Sequence, residues 1–222
     1  MNANIAIDGP AGAGKSTIAK AVAKEKQYIY VDTGAMYRAM ALYLLRKNIL
    51  PEDTEKIEAA CELADISIDY QEGMQVVLLD GENVNGLIRT EEVGNMASAS
   101  SVNPKVREKL VSLQQSLAAR KSVVMDGRDI GTKVLPDAAV KIYLTASSSV
   151  RAKRRFDELA AKGETCGLHA IEQDIIERDH RDMTRAISPL VKAEDAVLID
   201  SSDMSIQEVI DKILVICKEK LG

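Results

Sequence analysis

The chain has 222 residues, 46% of them hydrophobic and 28% charged, which is enough apolar material for a buried core and is most simply one domain with insertions. Its 29 basic and 34 acidic side chains leave a net charge of -5, against the basic footprint expected of a general nucleic-acid binder. No apolar stretch approaches the ~20 residues of a membrane span, Met1-Asn-Ala-Asn4 lacks the basic start of a secretory signal, and Cys61, Cys166 and Cys217 have neither metal nor redox spacing, so no membrane association and a reducing cytoplasmic setting are expected.

Ile5-Ala-Ile-Asp8 predicts a buried strand that runs into Gly9-Pro-Ala-Gly12-Ala-Gly14-Lys15-Ser16-Thr17, and a helix follows to about Lys26. The spacing G-x-x-x-x-G-K-[ST] is that of a phosphate-binding loop. Glycines let the backbone curl and aim its N–H groups at one point, and the helix N-terminus adds positive potential there. The donor-binding residues are therefore Gly9, Pro10, Ala11, Gly12, Ala13, Gly14, Lys15, Ser16 and Thr17, with Lys15 reaching the β- and γ-phosphates of a nucleoside triphosphate and the Ser16 hydroxyl ligating Mg2+. The bland alternative is a glycine turn that merely joins strand to helix.

Tyr28–Asp32 reads as the second strand of a β-α-β unit, Thr33-Gly34 as a turn, and Ala35 to Lys47 as a helix with Met36, Met40 and Leu44 on one face. Another helix is expected from Pro51 to about Ala64. From Ile66 the texture changes: two alternating runs, Ile66–Tyr70 and Gln75–Leu79, and the start of a third at Glu82, separated by Gly73 and Asp80-Gly81, predict a small antiparallel insertion over about 65–90. Helices are expected from Thr90 to about Ser101 and from Pro104 to Arg120. Strands at Lys121–Asp126, Ala138–Leu144 and Ala196–Asp200 alternate with helices at Ser147–Lys162, Ile171 to about Ala186, and Ser205–Lys220, and Gly127–Gly131 reads as a loop. The fold class is α/β, a doubly wound and mostly parallel sheet with a small antiparallel insertion and a helical lid. Ligands bind such sheets beyond the carboxyl ends of the strands, where Asp8, Asp32, Asp126 and Asp200 fall.

Asp126 ends an apolar run and is placed to hold Mg2+ through water, against the alternative of an ordinary strand-end acid. Arg38, Arg128, Arg151, Arg154, Arg155, Arg178, Arg181 and Arg185 form the second constellation, and Arg suits bidentate phosphate contacts. The competing reading of the helical arginines is a solvated face with i,i+4 pairs, such as Arg154 with Glu158 and Arg178 with Asp182. His169 and His180 have no metal-ligand partners and are assigned no site.

Six stretches together resemble the bacterial cytidylate kinases, within the nucleoside monophosphate kinases, over nearly the whole length. They are Asp8–Thr17, Asp32-Thr-Gly-Ala-Met-Tyr-Arg38, Asn103-Pro-Lys-Val-Arg107, Met125-Asp-Gly-Arg-Asp-Ile-Gly-Thr132, Arg178-Asp-His-Arg-Asp182 and Arg185-Ala-Ile-Ser-Pro-Leu190. The resemblance implies a phosphate-loop core (1–37, 121–150 and 187–222), an acceptor-binding unit (38–120) carrying the insertion, and a lid (151–186). It implies transfer from ATP, with Mg2+, to CMP or dCMP. By the same resemblance Arg38 and Arg128 hold the acceptor phosphate, with the Thr33 hydroxyl beside them. Ser98, Arg107 and Asp129 face the cytosine, and Arg178 and Asp182 reach the sugar. Arg185 approaches the transferring phosphate, and Arg151 and Arg155 serve ATP from the lid. Lys15, Arg128, Arg185 and Asp126 make up the catalytic set.

The base contacts are chemically sensible, because cytosine presents an amine donor beside acceptors, matching the Asp129 carboxylate and the Arg107 guanidinium. Uracil would oppose a carbonyl to Asp129. Small nucleotides as the only partners, a monomer and a cytoplasmic location complete the expectation. The alternatives are a kinase of UMP or AMP, and a nucleotide-binding switch, for which no Asn-Lys-x-Asp run is present.

Overall fold

The computed structural model describes residues 3–222; Met1 and Asn2, on which part of the signal-segment reading rests, lie outside the described residues. Five strands form a wholly parallel sheet: β1 (Ile5–Asp8), β2 (Ile29–Asp32), β6 (Val123–Gly127), β7 (Val140–Thr145) and β8 (Val197–Asp200). Their spatial order is β2-β6-β1-β7-β8. β1 is the central strand, and Ile5, Ala6 and Ile7 are completely buried, as a continuous apolar run requires when both faces of a sheet are covered. The chain leaves β1 to pair β6 on one side and β7 on the other, so the glycine loop emerges where the strand order reverses.

Helices cover both faces. α1 (Lys15–Lys26) and α8 (Ile206–Leu221) pack with Ile5, Ile7, Val124 and Ile142 in one apolar cluster. α2 (Thr33–Arg46), α3 (Thr54–Leu63), α4 (Glu91–Ser100) and α5 (Pro104–Arg120) enclose the other, built on Met36, Met40, Leu44, Leu110 and Met125. α6 (Ser148–Ala161) and α7 (Leu168–Thr184) pair with each other, and among their residues only Arg151, Ala152, Leu159 and Ile175 are buried. Local signals set the ends. Asn103 caps α5 with Pro104 in its first turn, and Ser205 with Glu208 forms a capping box on α8.

The insertion is a three-stranded antiparallel sheet of β3 (Ile66–Gln71), β4 (Met74–Leu79) and β5 (Glu82–Asn83). Its tight turns, Glu72-Gly73 and Asp80-Gly81, take positive φ at both central residues, the geometry that suits two-residue hairpins. The insertion covers the exposed edge of the parallel sheet. The Gln75 side chain accepts from Asp32 N at 2.7 Å and donates to Asp32 O at 3.2 Å, and the Tyr70 hydroxyl donates to Tyr30 O at 3.2 Å. A side-chain amide thereby does what a neighbouring strand would do.

Some sequence expectations shift. There is no turn at Thr33-Gly34: Asp32 itself caps α2 by accepting from Ala35 N at 2.9 Å, so strand passes directly into helix. The helix expected from Pro51 starts only at Thr54. α7 begins three residues before Ile171, at Leu168. The expected loop at 127–131 is the end of β6 followed by a π-helical turn, Ile130–Val134, whose first N–H groups are taken by Asp8. Among the described residues no helix is long and apolar enough to cross a membrane.

Replacing Gln75 with Ala takes the acceptor from Asp32 N, while Asp32 O, as the carbonyl of the helix cap, keeps the first N–H of α2. The change is expected to lower the unfolding free energy by about 1–3 kcal/mol, the cost of leaving one such group unpaired. Urea denaturation with an unchanged m-value would read this.

Candidate active site

The glycine loop lies at the carboxyl end of β1. Gly9 has φ +151°, and a Cβ there would lie 1.9 Å from Leu144 O, so only glycine lets the loop leave the sheet so close to β7. Gly12 and Gly14 also take positive φ and, with Ser16 and Thr17, face solvent, leaving the cradle open to a ligand. Lys15 is buried, and its Nζ donates to Pro10 O at 2.7 Å. Burial first, and then the positive charge of Arg128, bring its pKa down to about 7.

The Ser16 hydroxyl donates to Asp126 Oδ2 at 2.8 Å, so the two residues expected at the metal are in contact. The Tyr30 hydroxyl donates to Asp126 Oδ1 at 2.9 Å, and the Thr33 hydroxyl donates to Asp126 O at 2.7 Å. Burial, then the charge of Asp32, pushes the Asp126 carboxyl upward. Among the described residues no group of three or more His, Cys, Asp or Glu side chains could hold a metal. A hydroxyl beside a single carboxylate nonetheless suits Mg2+, which keeps several waters and takes other ligands from phosphates.

Four guanidiniums converge next to this loop. Arg38 on α2 is half-buried, and its pKa is lowered by burial and by the nearby charges of Arg89, Arg178 and Arg128, with Asp32 acting in the opposite sense. Arg89, from the segment leading into α4, donates to Asp32 Oδ2 at 2.6 Å. Arg128 Nε donates to Asp182 Oδ2 at 2.7 Å. Arg178 is likewise lowered by burial and Arg128. Like charges gathered in a partly desolvated cleft destabilise one another unless an anion joins them.

Deeper lies a polar pair. Arg107 donates to the Asp129 carboxylate, both are buried, and the Arg107 guanidinium lies over the Tyr37 ring, 5.5 Å from its centroid. Arg185 donates to Ser188 O at 2.6 Å through Nε, while its terminal nitrogens stand 3.9 Å from Asp129 and 3.8 Å from Asp182. One of those nitrogens is buried with no hydrogen-bond partner, as are Arg107 Nε and the Tyr37 hydroxyl. Orphaned buried donors mark places where a polar ligand would complete the bonding. Ser98 lies on α4, half-buried, and its carbonyl accepts from Ser101 Oγ at 2.9 Å.

The lid arginines divide. Arg151 is buried and donates to Ala146 O at 2.8 Å and to Ala11 O at 2.9 Å, and pairs with Asp179 at 2.6 Å, so it ties the glycine loop to α6 and α7. Arg155 is exposed and pairs with Glu158 at 3.0 Å. The ion pairs foreseen within the helices do not form. Arg154 instead donates to Ser201 O at 2.7 Å, Glu158 serves Arg155 and Lys162, and Asp182 faces Arg128 because the α7 face is turned inward. Asp200, at the end of β8, is exposed and bonds Ser202. Arg89, Gln75 and Tyr30 escaped the sequence reading. None sits in a motif, and only the fold brings them to Asp32 and Asp126.

A glycine loop at the switch point, a buried lysine, a hydroxyl–carboxylate pair and a cluster of guanidiniums define a phosphate-loop phosphotransferase, in which opposed anions are drawn together by fixed positive charge. The sequence profile described as cytidylate kinase matches residues 5–219. A cytidylate kinase of Caldicellulosiruptor saccharolyticus is 52% identical over 219 residues, covering 99% of this chain and 97% of that protein. A cytidylate kinase of Bacillus subtilis is 48% identical over 217 residues, covering 98% and 97%. This chain belongs to the cytidylate kinase family. A solved structure of an uncharacterized protein from Eubacterium ventriosum shares the fold, with a TM-score of 0.54 at 13% identity over 99% of each chain.

The lowered Lys15 pKa gives a test of the cradle. At pH 8 Lys15 is largely neutral in the free protein, and an added polyphosphate restores its proton. ADP binding at pH 8 is therefore expected to take up close to one proton more in the wild type than in Lys15→Met, and at pH 6, where Lys15 is already charged and the ADP phosphate's own titration is common to both proteins, that difference falls close to zero. Calorimetry of both proteins in buffers of different ionisation enthalpy measures the uptake.

Proposed function

We propose that this protein transfers the γ-phosphoryl group of ATP to CMP and dCMP, giving ADP and the corresponding diphosphate. The observation that carries this is the buried Arg107–Asp129 pair next in sequence to Arg128, whose charge is felt by Lys15 of the glycine loop and by Arg38 and Arg178. It supports a reading in which a base-reading pair and phosphate-binding cations share one cleft.

The donor phosphates rest on the N–H groups of the glycine loop, with Lys15 at the β- and γ-phosphates. Ser16 and Asp126 would hold Mg2+, which would neutralise charge on the donor phosphates. Arg38 and Arg128 hold the acceptor phosphate near Thr33, and Arg178 and Asp182 meet the sugar. Asp129 accepts from the cytosine amine, and Arg107 donates to its ring acceptors, with Ser98 at the edge. The acceptor phosphate is already an anionic nucleophile, so no general base is needed. Attack proceeds in line while Lys15, Arg128 and Arg185 stabilise the spread negative charge.

The acceptor-binding unit over 38–120 and the lid over 151–186 close on the core and exclude water, which would otherwise receive the phosphoryl group. In the closed form Arg155 leaves its surface pair for ATP, and Arg151 holds the glycine loop against the lid. The protein acts as a cytoplasmic monomer on small nucleotides and not on nucleic acid.

ADP release over a panel of nucleoside monophosphates tests the reading: turnover is expected with CMP and dCMP well above UMP and AMP, and indifference to the acceptor would indicate a hydrolytic switch. Asp129→Ala should erode the preference for CMP over UMP by at least about tenfold in kcat/KM while leaving KM for ATP nearly unchanged, since a site built to hydrogen-bond a polar group discriminates through it. Lys15→Met should lower kcat by about a hundredfold or more while CMP binding stays measurable.

A further inference from the structure

We propose that Asp8 is a positioning residue that fixes the acceptor-reading pair Arg128 and Asp129 against the glycine loop. The proposal rests on the kinase reading above and assigns a part in it to a residue outside the phosphate-loop pattern.

Asp8 ends β1, and the next residue, Gly9, starts the glycine loop. Its Oδ1 accepts from Ile130 N at 2.8 Å and its Oδ2 from Gly131 N at 2.7 Å. These two amides directly follow Arg128 and Asp129 and open the π-helical turn. The β1–β6 ladder ends at the pair Asp8 and Gly127. Beyond Gly127 no strand pairing holds the chain, and the Asp8 carboxylate takes over that task. It does so across more than 120 residues of sequence, in a place where Asp8, Asp129 and Ile130 are all buried. One side chain is therefore joined covalently to the donor loop and by two hydrogen bonds to the acceptor segment.

Burial pushes the Asp8 carboxyl up to about 6, against the pull of the two amides, which favour its charged form. Asp129 adds to the rise, Lys15 at the start of α1 opposes it, and Tyr143 lies close enough on β7 to feel the Asp8 charge. Lys141 on β7 packs beside Gly131, where its stem closes the remaining space. Both oxygens are used, each on a separate amide, so the carboxylate plane sets the direction as well as the distance of the segment it holds. A tilt there is passed to Asp129, whose carboxylate must meet the cytosine amine, and to Arg128, whose guanidinium must meet the phosphate. Misplacement by a fraction of an ångström in such a site costs rate and selectivity together.

The competing role is that of a cap that merely completes a buried turn. Asp8→Asn separates the two, because it keeps the shape but turns an N–H2 toward one of the two amides. With Asp8 as a positioning residue, kcat/KM for CMP falls about a hundredfold, the CMP-over-UMP preference falls at least about tenfold, and KM for ATP stays within about threefold. A cap alone would lower Tm and leave the CMP-over-UMP ratio of the folded enzyme untouched, and an unchanged ratio overturns the proposal.

The wild-type control keeps the two readings apart. Absence of CMP-dependent ADP release from the wild type defeats the proposed function itself, whereas CMP-dependent release with an unaltered ratio in the variant defeats only the assignment of Asp8. Should the variant not fold, amide exchange in the wild type decides. The Ile130 and Gly131 amides are expected to exchange at least about a hundredfold more slowly than an open loop, and more slowly again once ADP alone occupies the glycine loop. Unprotected amides, or exchange indifferent to ADP, would overturn the proposal.

Discussion

Positive charge crowded into a partly desolvated cleft is the constraint on which this molecule depends. Lys15 is buried against a carbonyl, the Arg38 and Arg178 pKa values are lowered by burial and by neighbouring guanidiniums, and Arg185 keeps a buried nitrogen with no hydrogen-bond partner. Each of these is unfavourable in the empty protein. Stability alone would favour paired or solvated cations, as at Arg46 with Glu82 on the surface. The unfavourable arrangement persists because the rigid sheet holds its strand ends together, and phosphate-bearing ligands relieve it. Binding energy and catalytic electrostatics then share one source, cations fixed in place before the ligand arrives.

The sheet supplies the rigidity and the insertion extends it. Asp32 shows how the two are joined. Its backbone is clamped by Gln75 of the insertion, one carboxylate oxygen caps α2, and the other receives Arg89. The helix so capped carries Arg38 one turn later. A small antiparallel sheet that lies outside the main layer thus bears on the direction of the Arg38 side chain. It also covers the free edge of β2, which would otherwise offer unpaired backbone groups to other chains.

The sequence made the architecture legible wherever one local pattern sufficed. Continuous apolar runs marked β1 and β6, alternation with Glu72-Gly73 and Asp80-Gly81 marked the hairpins, and Pro104 after Asn103 marked a helix start. The glycine loop could be read because its chemistry is contiguous, nine residues carrying turn, helix and charge. What could not be read depends on distance in sequence. The partners of Asp8 lie more than 120 residues away, and Gln75 reaches Asp32 across 43 residues. The π-helical turn was hidden for the same reason, since its first amides are satisfied by a side chain from another strand. The helical arginines were ambiguous because spacing alone does not choose between partners: Arg178 stands 4.0 Å from Asp174 one turn before it, while Asp182 one turn after it turns to Arg128.

Selectivity sets a further physical limit on the base site. Arg107 and Asp129 neutralise each other in the empty cleft, so on the proposed reading a cytosine is read by groups that already satisfy one another in part. Such a pair costs less to bury than either charge alone, and removing one member leaves the other exposed to the full desolvation penalty. The pair therefore serves two ends with one geometry. It keeps the pocket intact in the empty protein, and on the proposed reading it presents donor and acceptor side by side in the order that cytosine, but not uracil, complements. The Tyr37 ring beneath Arg107 restricts the guanidinium to that orientation. Discrimination then follows from where the two groups are held, and charge alone would not achieve it.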